Sequence, residues 1–157
     1  MDSFEKFYNK ALEFLSYRTR SEKEVRDKLK TKQAEPEVIE KVISKLKEKR
    51  FINDEEFARQ WIENRNRFKP RSLRLIKLEL KQKGISEEIV EKIIFNDEFL
   101  ISNDLEQAKR LVEKKIGKFK GLPKQEIYQK LGRFLASKGF NWDTIKKSID
   151  DILEKGV

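Results

Sequence analysis

Three consecutive acidic residues, Asp54-Glu55-Glu56, are candidates for catalysis or for metal binding. Clustered carboxylates can bind a divalent cation or act as general acid and base. Consecutive residues of a helix point in different directions, so these three side chains cannot converge on one ion. They follow Asn53 in the pattern of a capping box, with Glu56 three residues after the cap. The pattern favours helix capping over catalysis, and Asp150-Asp151 receives the same interpretation.

The composition removes most other catalytic and metal-binding chemistry. The 157 residues include no His and no Cys, which excludes the commonest general base, thiolate zinc sites and Cys nucleophiles. Neither a GxxxxGK[ST] nor a GxGxxG phosphate loop occurs. No base or oxyanion motif accompanies any Ser, Thr or Lys. We therefore predict a protein that is not an enzyme, with no catalytic residue, no cofactor and no metal site.

A segment of positive charge is the strongest remaining feature. Residues 59–83 hold nine Lys or Arg against Glu63 and Glu79, a net charge of +7. Pro70 interrupts the segment, so a helix should end by about Lys69. A corner between two helices exposes side chains and N–H groups that suit phosphate or carboxylate. The candidate binding residues of this second basic corner are Arg65, Arg67, Lys69, Arg71, Arg74 and Lys77.

Two further basic corners flank the second one along the chain. The first basic corner, Arg18-Thr19-Arg20-Ser21, supplies the candidates Arg18 and Arg20. The third, Lys118-Phe119-Lys120-Gly121, supplies Lys118 and Lys120. Blocks of one charge sign indicate a polyanionic partner or an acidic protein surface. The alternative is the ordinary solvated face of basic helices, and both interpretations remain open at this point.

Helical periodicity positions these corners. Apolar residues recur at spacings of three and four, as from Val38 to Leu46, and no sustained period-2 stretch occurs. The pattern predicts about nine short helices and no sheet. The expected helix starts carry capping residues or first-turn prolines, namely Ser21, Pro36, Asn53, Ser86, Pro123 and Asn141.

The two tryptophans could serve as stacking platforms for nucleic-acid bases. Trp61 shares an apolar stripe with Phe57 and Ile62, which favours core packing. Trp142 follows Asn141 at a predicted helix start, and for it core packing and partner contact both remain open.

The apolar pattern repeats along the chain. Leu80–Ile85 resembles Leu135–Phe140 at an offset of 55, and Val25 and Leu29 match Ile76 and Leu80 at an offset of 51. A repeat of about fifty residues indicates stacked helical units that bury a core jointly. We predict an all-α fold of three tandem three-helix repeats, in an elongated curved array whose hand is not predicted. The repeats span residues 1–50, 51–98 and 99–157.

The sequence pattern predicts no membrane-spanning segment. Its longest apolar runs are three residues long, such as Ile93-Ile94-Phe95. Its first residues, Met1–Lys6, do not form a signal peptide. We expect a cytoplasmic monomer.

Four segments carry a family resemblance. Residues 11–26 read ALEFLSYRTRSEKEVR, residues 51–62 read FINDEEFARQWI, and residues 69–85 begin KPRSL and end ELKQKGI. With Lys138-Gly139-Phe140 in the last repeat, these segments resemble the RecX family of regulatory proteins. Arg71 stands where that family often has a glycine after the proline.

The resemblance implies a specific role. RecX proteins are tandem three-helix modulators of the RecA recombinase in homologous recombination, DNA repair and the SOS response. They bind in the groove of the RecA–DNA filament and typically inhibit its ATPase and strand exchange, without catalysis of their own. Some members also bind DNA, so the expected partners are the RecA filament and single- or double-stranded DNA. The alternatives are a stand-alone basic helical DNA-binding protein and a purely structural helical adaptor.

Overall fold

The structure, a computed structural model, describes residues 2–96 and 103–155, which contain helices and no strand. The α-helices are α1 (Ser3–Tyr17), α2 (Glu22–Thr31), α3 (Pro36–Glu48), α4 (Asp54–Phe68), α5 (Leu73–Gln82), α6 (Glu87–Asn96), α7 (Asp104–Lys115), α8 (Lys124–Ser137) and α9 (Trp142–Lys155). A 3-10 helix, Ile116–Phe119, follows α7. No helix in the described ranges is long and apolar enough to cross a membrane. The all-α prediction is confirmed, while the predicted domain boundary at 98/99 lies outside the described residues.

Most of the predicted helix starts form as expected. Ser21 and Glu24 form a complete capping box on α2, and Pro36 is the first residue of α3. The side-chain oxygens of Asn53, Ser86 and Asn141 each accept a hydrogen bond from the N–H three residues later. Helix α4 ends at Phe68, as Pro70 predicted. Pro123 differs by one position, because it lies at the N-cap of α8 and not in its first turn.

The chain divides into two compact units. The first comprises Met1–Gln60 and Leu80–Ile93, and the second comprises Trp61–Glu79 and the described part of Ile94–Val157. Helices α4 and α5 therefore each contribute residues to both units. Each unit contains an apolar cluster formed by one face of its helices. The cluster of the first unit includes Val25, Leu29, Ile39, Val42 and Leu46, and that of the second includes Ala108, Val112, Leu131, Leu135 and Ile149.

Helices α2, α5 and α8 end in the same kind of turn. In each, the N–H two residues past the cap bonds back to a leucine carbonyl, as in Ala34 to Leu29, with distances of 3.0 to 3.3 Å. This is the Schellman pattern, which needs a left-handed residue just past the cap. That residue is Gln33, Gly84 or Gly139, with φ of 67°, 82° and 89°.

Two buried serines join these turns to the start of another helix. Ser21, at the N-cap of α2, donates its hydroxyl to the carbonyl of Lys83 at 2.7 Å. Ser72, before α5, donates its backbone N–H to the carbonyl of Lys138 at 3.0 Å. Each serine also accepts from the N–H three residues later in its own helix. Both are 0% exposed, so a buried side chain caps the helix beside the turn that it contacts.

An aspartate completes each of these two junctions. The Asp54 carboxylate accepts from the Glu22 N–H at 2.8 Å, and the Asp104 carboxylate accepts from the Leu73 N–H at 2.9 Å. Each aspartate begins one helix and caps another. The sequence favoured a capping role for the Asp54-Glu55-Glu56 cluster at the start of α4, and the structure adds that Asp54 caps α2. The sequence could not show this target, because tertiary packing brings the N–H of Glu22 to Asp54.

The two junction glycines are required by space as well as by conformation. A Cβ on Gly84 would lie 2.5 Å from the Cβ of Lys23, and a Cβ on Gly139 would lie 2.9 Å from the Cβ of Leu75 and closer to the hydroxyl of Ser72. Gln33 has the same left-handed backbone but is exposed, so its side chain extends into solvent. Glycine therefore occurs at the two turns that contact a serine-capped helix start.

We expect Leu29→Ala, Ile76→Ala and Leu80→Ala each to lower the free energy of unfolding by about 2–5 kcal/mol. Their side chains are 2% exposed or less, so each truncation leaves a cavity. The matched surface variants Lys30→Ala and Lys81→Ala should cost no more than about 0.5 kcal/mol. Urea unfolding followed by circular dichroism measures both sets. Equal losses would contradict the assignment of the core faces.

Gly139→Ala should lower the free energy of unfolding by at least about 1 kcal/mol, because the alanine would be left-handed and would press on Ser72. The control is Gly117→Ala, whose Cβ would meet no described atom within 4 Å. That variant should change stability by no more than about 0.5 kcal/mol. The same urea titration compares them, and a tolerated Gly139→Ala would show that the junction relaxes without cost.

Candidate functional site

The first basic corner is fixed by its own surroundings. The Arg18 guanidinium pairs with the Glu24 carboxylate at 3.3 and 2.5 Å and donates to the Thr19 carbonyl at 2.8 Å. The guanidinium carbon of Arg20 lies 3.9 Å from the centre of the Phe14 ring, which is cation–π geometry. Both predicted candidates therefore have partners within the first unit. Arg18 still exposes 44% of its side chain.

Two candidates of the second basic corner converge on one acid. Nε of Arg65 lies 3.2 Å from Glu79, and the Arg71 guanidinium bonds the other oxygen of the same carboxylate. Trp61 donates its indole N–H to Glu79 at 3.2 Å, while the Arg65 guanidinium lies 4.2 Å from the centre of the indole ring. Arg65 and Arg71 expose only 17% and 14% of their side chains. These two arginines support the fold of the corner.

Trp61 differs from its neighbours on the predicted stripe. Phe57 and Ile62 are buried, as expected, whereas Trp61 is half-buried and lies beneath a guanidinium. The prediction of simple core packing for Trp61 was therefore incomplete. The indole N–H needs an acceptor when it is buried, and Glu79 supplies one.

The remaining candidates of the second corner are exposed: Arg67, Lys69, Arg74 and Lys77. Arg74 donates to the Gly139 carbonyl at 3.3 Å, next to the junction. The guanidinium of Arg67 lies 5.6 Å from the Phe68 ring centre. Arg67 and Lys69 are thus exposed cations next to the exposed Phe68 in the sequence.

The prediction that backbone N–H groups at this corner are open to a ligand is wrong. The N–H groups of Ser72, Leu73 and Leu75 bond to Lys138, Asp104 and the Ser72 hydroxyl, respectively. Pro70 is buried. Those donors are used to join helices, so an anion at this corner would be bound by cationic side chains.

The third basic corner lies at the 3-10 helix in the second unit. Lys118 is in that helix, Lys120 follows it, and both are exposed. Gly121 then turns the chain with φ of 87° toward α8. The first corner lies in the first unit, whereas the second and third lie in the second unit. Within its unit, the second corner shows one convergence of candidates, that of Arg65 and Arg71 on Glu79.

Sequence reasoning missed two residues that organise the second corner. Glu79 is the shared partner of Arg65 and Arg71. The sequence offered one indication of this role, because Glu79 is one of only two acids among nine basic residues in the segment 59–83. Arg110 bonds the carbonyls of Asn66 and Arg67, the latter at 3.0 Å. A cation there complements the negative end of α4. No local pattern identifies Arg110, because it lies more than forty residues from its acceptors.

The acidic cluster has structural partners. Asp54 caps α2, and Glu55 pairs with Arg59 at 3.4 Å and Lys92 at 3.1 Å. Burial raises the pKa of Asp54, although the hydrogen bond from the Glu22 N–H opposes that rise. Within the described residues, no three or more His, Cys, Asp or Glu side chains group so as to hold a metal ion.

Models of three RecX domains match the chain in order. The models for the first, second and third three-helix domains of RecX match residues 8–46, 53–93 and 102–149. A protein of Clostridium tetani (strain Massachusetts / E88) named regulatory protein RecX is 37% identical over 161 residues, covering 97% of this chain and 69% of that protein. The chain belongs to the RecX family. The predicted fold of three successive three-helix units is confirmed, and the boundaries at 1–50, 51–98 and 99–157 stay a prediction.

The first curated RecX relatives are longer than this chain. The regulatory protein RecX of Bacillus subtilis (strain 168) is 35% identical over 151 residues, which cover 96% of this chain and 56% of that protein. The chain thus spans about half the length of the first such curated relatives it matches. A crystal structure of RecX from Lactobacillus salivarius superimposes with a TM-score of 0.78 at 31% identity, covering 96% of both chains.

The capping glutamate of α2 predicts a pH dependence of stability. Burial raises the pKa of Glu24, but hydrogen bonds from Arg18 and from the Ser21 N–H, with nearby positive charges, outweigh it and hold the pKa of Glu24 below its usual value. The ionised form therefore favours the folded state above the unfolded pKa, and this contribution is lost as pH falls through the folded pKa.

We expect Glu24→Gln to lower the free energy of unfolding near pH 7, with the difference from wild type shrinking below about pH 4.5. Urea titrations from about pH 7 to about pH 3 test this. The control is Glu48→Gln, an exposed acid at the end of α3, with an expected effect within about 0.5 kcal/mol. A pH-independent difference would assign the Glu24 contribution to packing.

Proposed function

We propose that this protein is a non-catalytic regulator of the RecA recombinase. It binds the RecA–DNA filament and lowers the filament's ATPase and strand-exchange activity. The observation that carries the proposal is the ordered match of three RecX domains along residues 8–149. RecA as the partner follows from the RecX resemblance. A regulator of bacterial recombination would act in the cytoplasm, and we propose that it acts there as a monomer.

The exposed cations support contact with a filament that contains DNA. Arg67 and Lys69 at the second corner, and Lys118 and Lys120 at the third, are exposed within the second unit. Cations of this kind attract a polyanionic partner and favour its encounter. Arg65 and Arg71 contribute indirectly, because Glu79 holds both of them. We therefore assign contact to the exposed cations and support to the paired arginines.

The same cations favour a second candidate, a stand-alone DNA-binding protein. Both candidates predict binding to RecA on single-stranded DNA, whereas only the second predicts comparable affinity for bare DNA at physiological salt. A direct DNA binder that neutralises Z phosphates should show a log–log salt slope of about −0.9Z on duplex or about −0.7Z on single strands. Titrations of bare DNA across salt concentrations separate the two candidates.

Charge reversal at the second corner tests the regulatory proposal. Arg67→Glu combined with Lys69→Glu should weaken inhibition of RecA ATPase on single-stranded DNA by about tenfold, because repulsion replaces attraction near a polyanion. Arg71 is left unchanged, since a carboxylate there would face Glu79 and disturb the fold. Higher salt should narrow the gap between variant and wild type.

Two controls separate local contact from net charge. Lys30→Glu with Lys41→Glu makes the same change in net charge at exposed positions on α2 and α3, and should leave inhibition nearly unchanged. Glu87→Lys with Glu91→Lys on α6 should maintain or strengthen binding to an anionic partner. If the corner variant inhibits as well as wild type, its cations form a solvated face. If wild type itself leaves RecA ATPase unaffected, the regulatory proposal fails.

A further inference from the structure

Helices α1 and α4, and the 3-10 helix after α7, each end in an aromatic residue that a cation follows. An aromatic residue followed by a cation occurs as Tyr17-Arg18, Phe68-Lys69 and Phe119-Lys120, with a spacing of 51 residues each time. Tyr17 is the last residue of α1, Phe68 the last of α4, and Phe119 the last of the 3-10 helix after α7. We call these the aromatic–cation pairs. Such a pair can offer a planar group and a charged group to the same ligand.

Tyr17 opens onto a basic cleft in the first unit. It is 76% exposed and borders a cleft of about 290 Å³ between α1 and α2. Lys10, Lys28 and Lys32 line this cleft against the single acid Glu13. No described ion pair includes any of these lysines. The cleft thus combines one open aromatic ring with three cations that are not neutralised by a described side chain.

The other aromatic ring of the cleft, that of Phe14, already contacts cations of the protein. Phe14 is half-buried, with the Arg20 guanidinium carbon 3.9 Å and the Lys28 ammonium 5.3 Å from its ring centre. These contacts hold Phe14 and its cations in place. Tyr17 is therefore the ring of this cleft that is available to a planar ligand group.

Phe68 has an equivalent setting in the second unit. It is 62% exposed, although the Arg67 guanidinium carbon lies 5.6 Å from its ring centre, and the exposed Lys69 follows it. The end of α4 is held by Arg110, which donates to the carbonyls of Asn66 and Arg67. The ring is thus presented from a fixed helix end, which lowers the entropy lost when a ligand binds.

The third pair differs from the other two. Phe119 is half-buried and packs against the apolar cluster of the second unit. Its ring therefore contributes to the core, and Lys120 alone faces solvent as a charged contact. Two of the three pairs combine an exposed ring with cations.

We propose that Tyr17 and Phe68 are stacking sites for bases of single-stranded nucleic acid. Lys10, Lys28 and Lys32 at the first site, and Arg67 and Lys69 at the second, would contact the adjoining phosphates. A base next to a phosphate matches a ring next to a cation. At each site more than one cation accompanies the ring, which matches a strand with several phosphates, and its binding here needs no RecA.

Two other anionic partners fit these sites less well. An acidic peptide would pair with the lysines but would leave the Tyr17 and Phe68 rings without a planar partner. A duplex would supply phosphates while its bases remain stacked inside the helix, so it could not engage the rings without unpairing. A single strand offers an unpaired base and a phosphate together. The exposed rings and the neighbouring cations therefore favour single-stranded nucleic acid as the ligand.

Fluorescence anisotropy with a labelled oligothymidylate, without RecA and at about 50 mM salt, tests the proposal. Tyr17→Ala and Phe68→Ala should each weaken single-strand binding by about tenfold, through the loss of stacking. Tyr17→Phe should bind like wild type, because the ring is retained. Binding to a duplex of equal length should be the same for all of these variants. Lys28→Gln with Lys32→Gln should make the salt slope shallower by about 1.4 on single strands.

The matched control is Phe95→Ala. Phe95 is the penultimate residue of α6 and is 85% exposed, but Asn96 follows it in place of a cation. This variant should bind the oligothymidylate like wild type. Unchanged single-strand binding by both Tyr17→Ala and Phe68→Ala would overturn the proposal, as would an equal loss of duplex binding. Thymidine monophosphate binding as tightly as the oligonucleotide would overturn the polymer assignment. RecA ATPase inhibition is measured separately, so failure here leaves the regulatory proposal standing.

Discussion

A serine buried at the start of a helix, against the closing turn of another, is the interaction on which the rest of this structure depends. Ser21 and Ser72 are both fully buried, and each satisfies its own helix while bonding to a lysine carbonyl in a Lys-Gly turn. An unpaired polar group at such a place would cost the full free energy of its desolvation. The serine, the turn and the glycine therefore have to occur together, which explains why the same arrangement occurs twice.

This junction also determines which groups remain for partners. The N–H donors at the start of α5 are bonded to Lys138, Asp104 and Ser72. A helix start that is used for joining helices cannot also bind phosphate through its backbone. Recognition at the basic corners therefore rests on side chains, and on those cations that are not paired within the chain.

The paired arginines show how a highly basic segment folds without self-repulsion. Arg65 and Arg71 share Glu79, and Arg65 also covers the Trp61 ring. At partial burial a shared carboxylate offsets like-charge repulsion, and removing it would leave two poorly solvated cations. The corner consequently has an inner layer of supporting cations and an outer layer, Arg67 and Lys69, that faces solvent.

Local pattern was enough to determine the helices, most of the caps within each helix and the repeat. Capping residues, the break at Pro70 and the apolar stripe through Leu29 act over one or two helical turns, so the sequence contains all the information they need. Which basic residues are exposed was decided by tertiary structure alone. Arg71 and Lys69 look equivalent in sequence, yet Arg71 is held by Glu79 and Lys69 is exposed. Arg110 and Asp104 likewise act on residues more than thirty positions away. Such pairings depend on how helices pack, and no spacing along the chain encodes them.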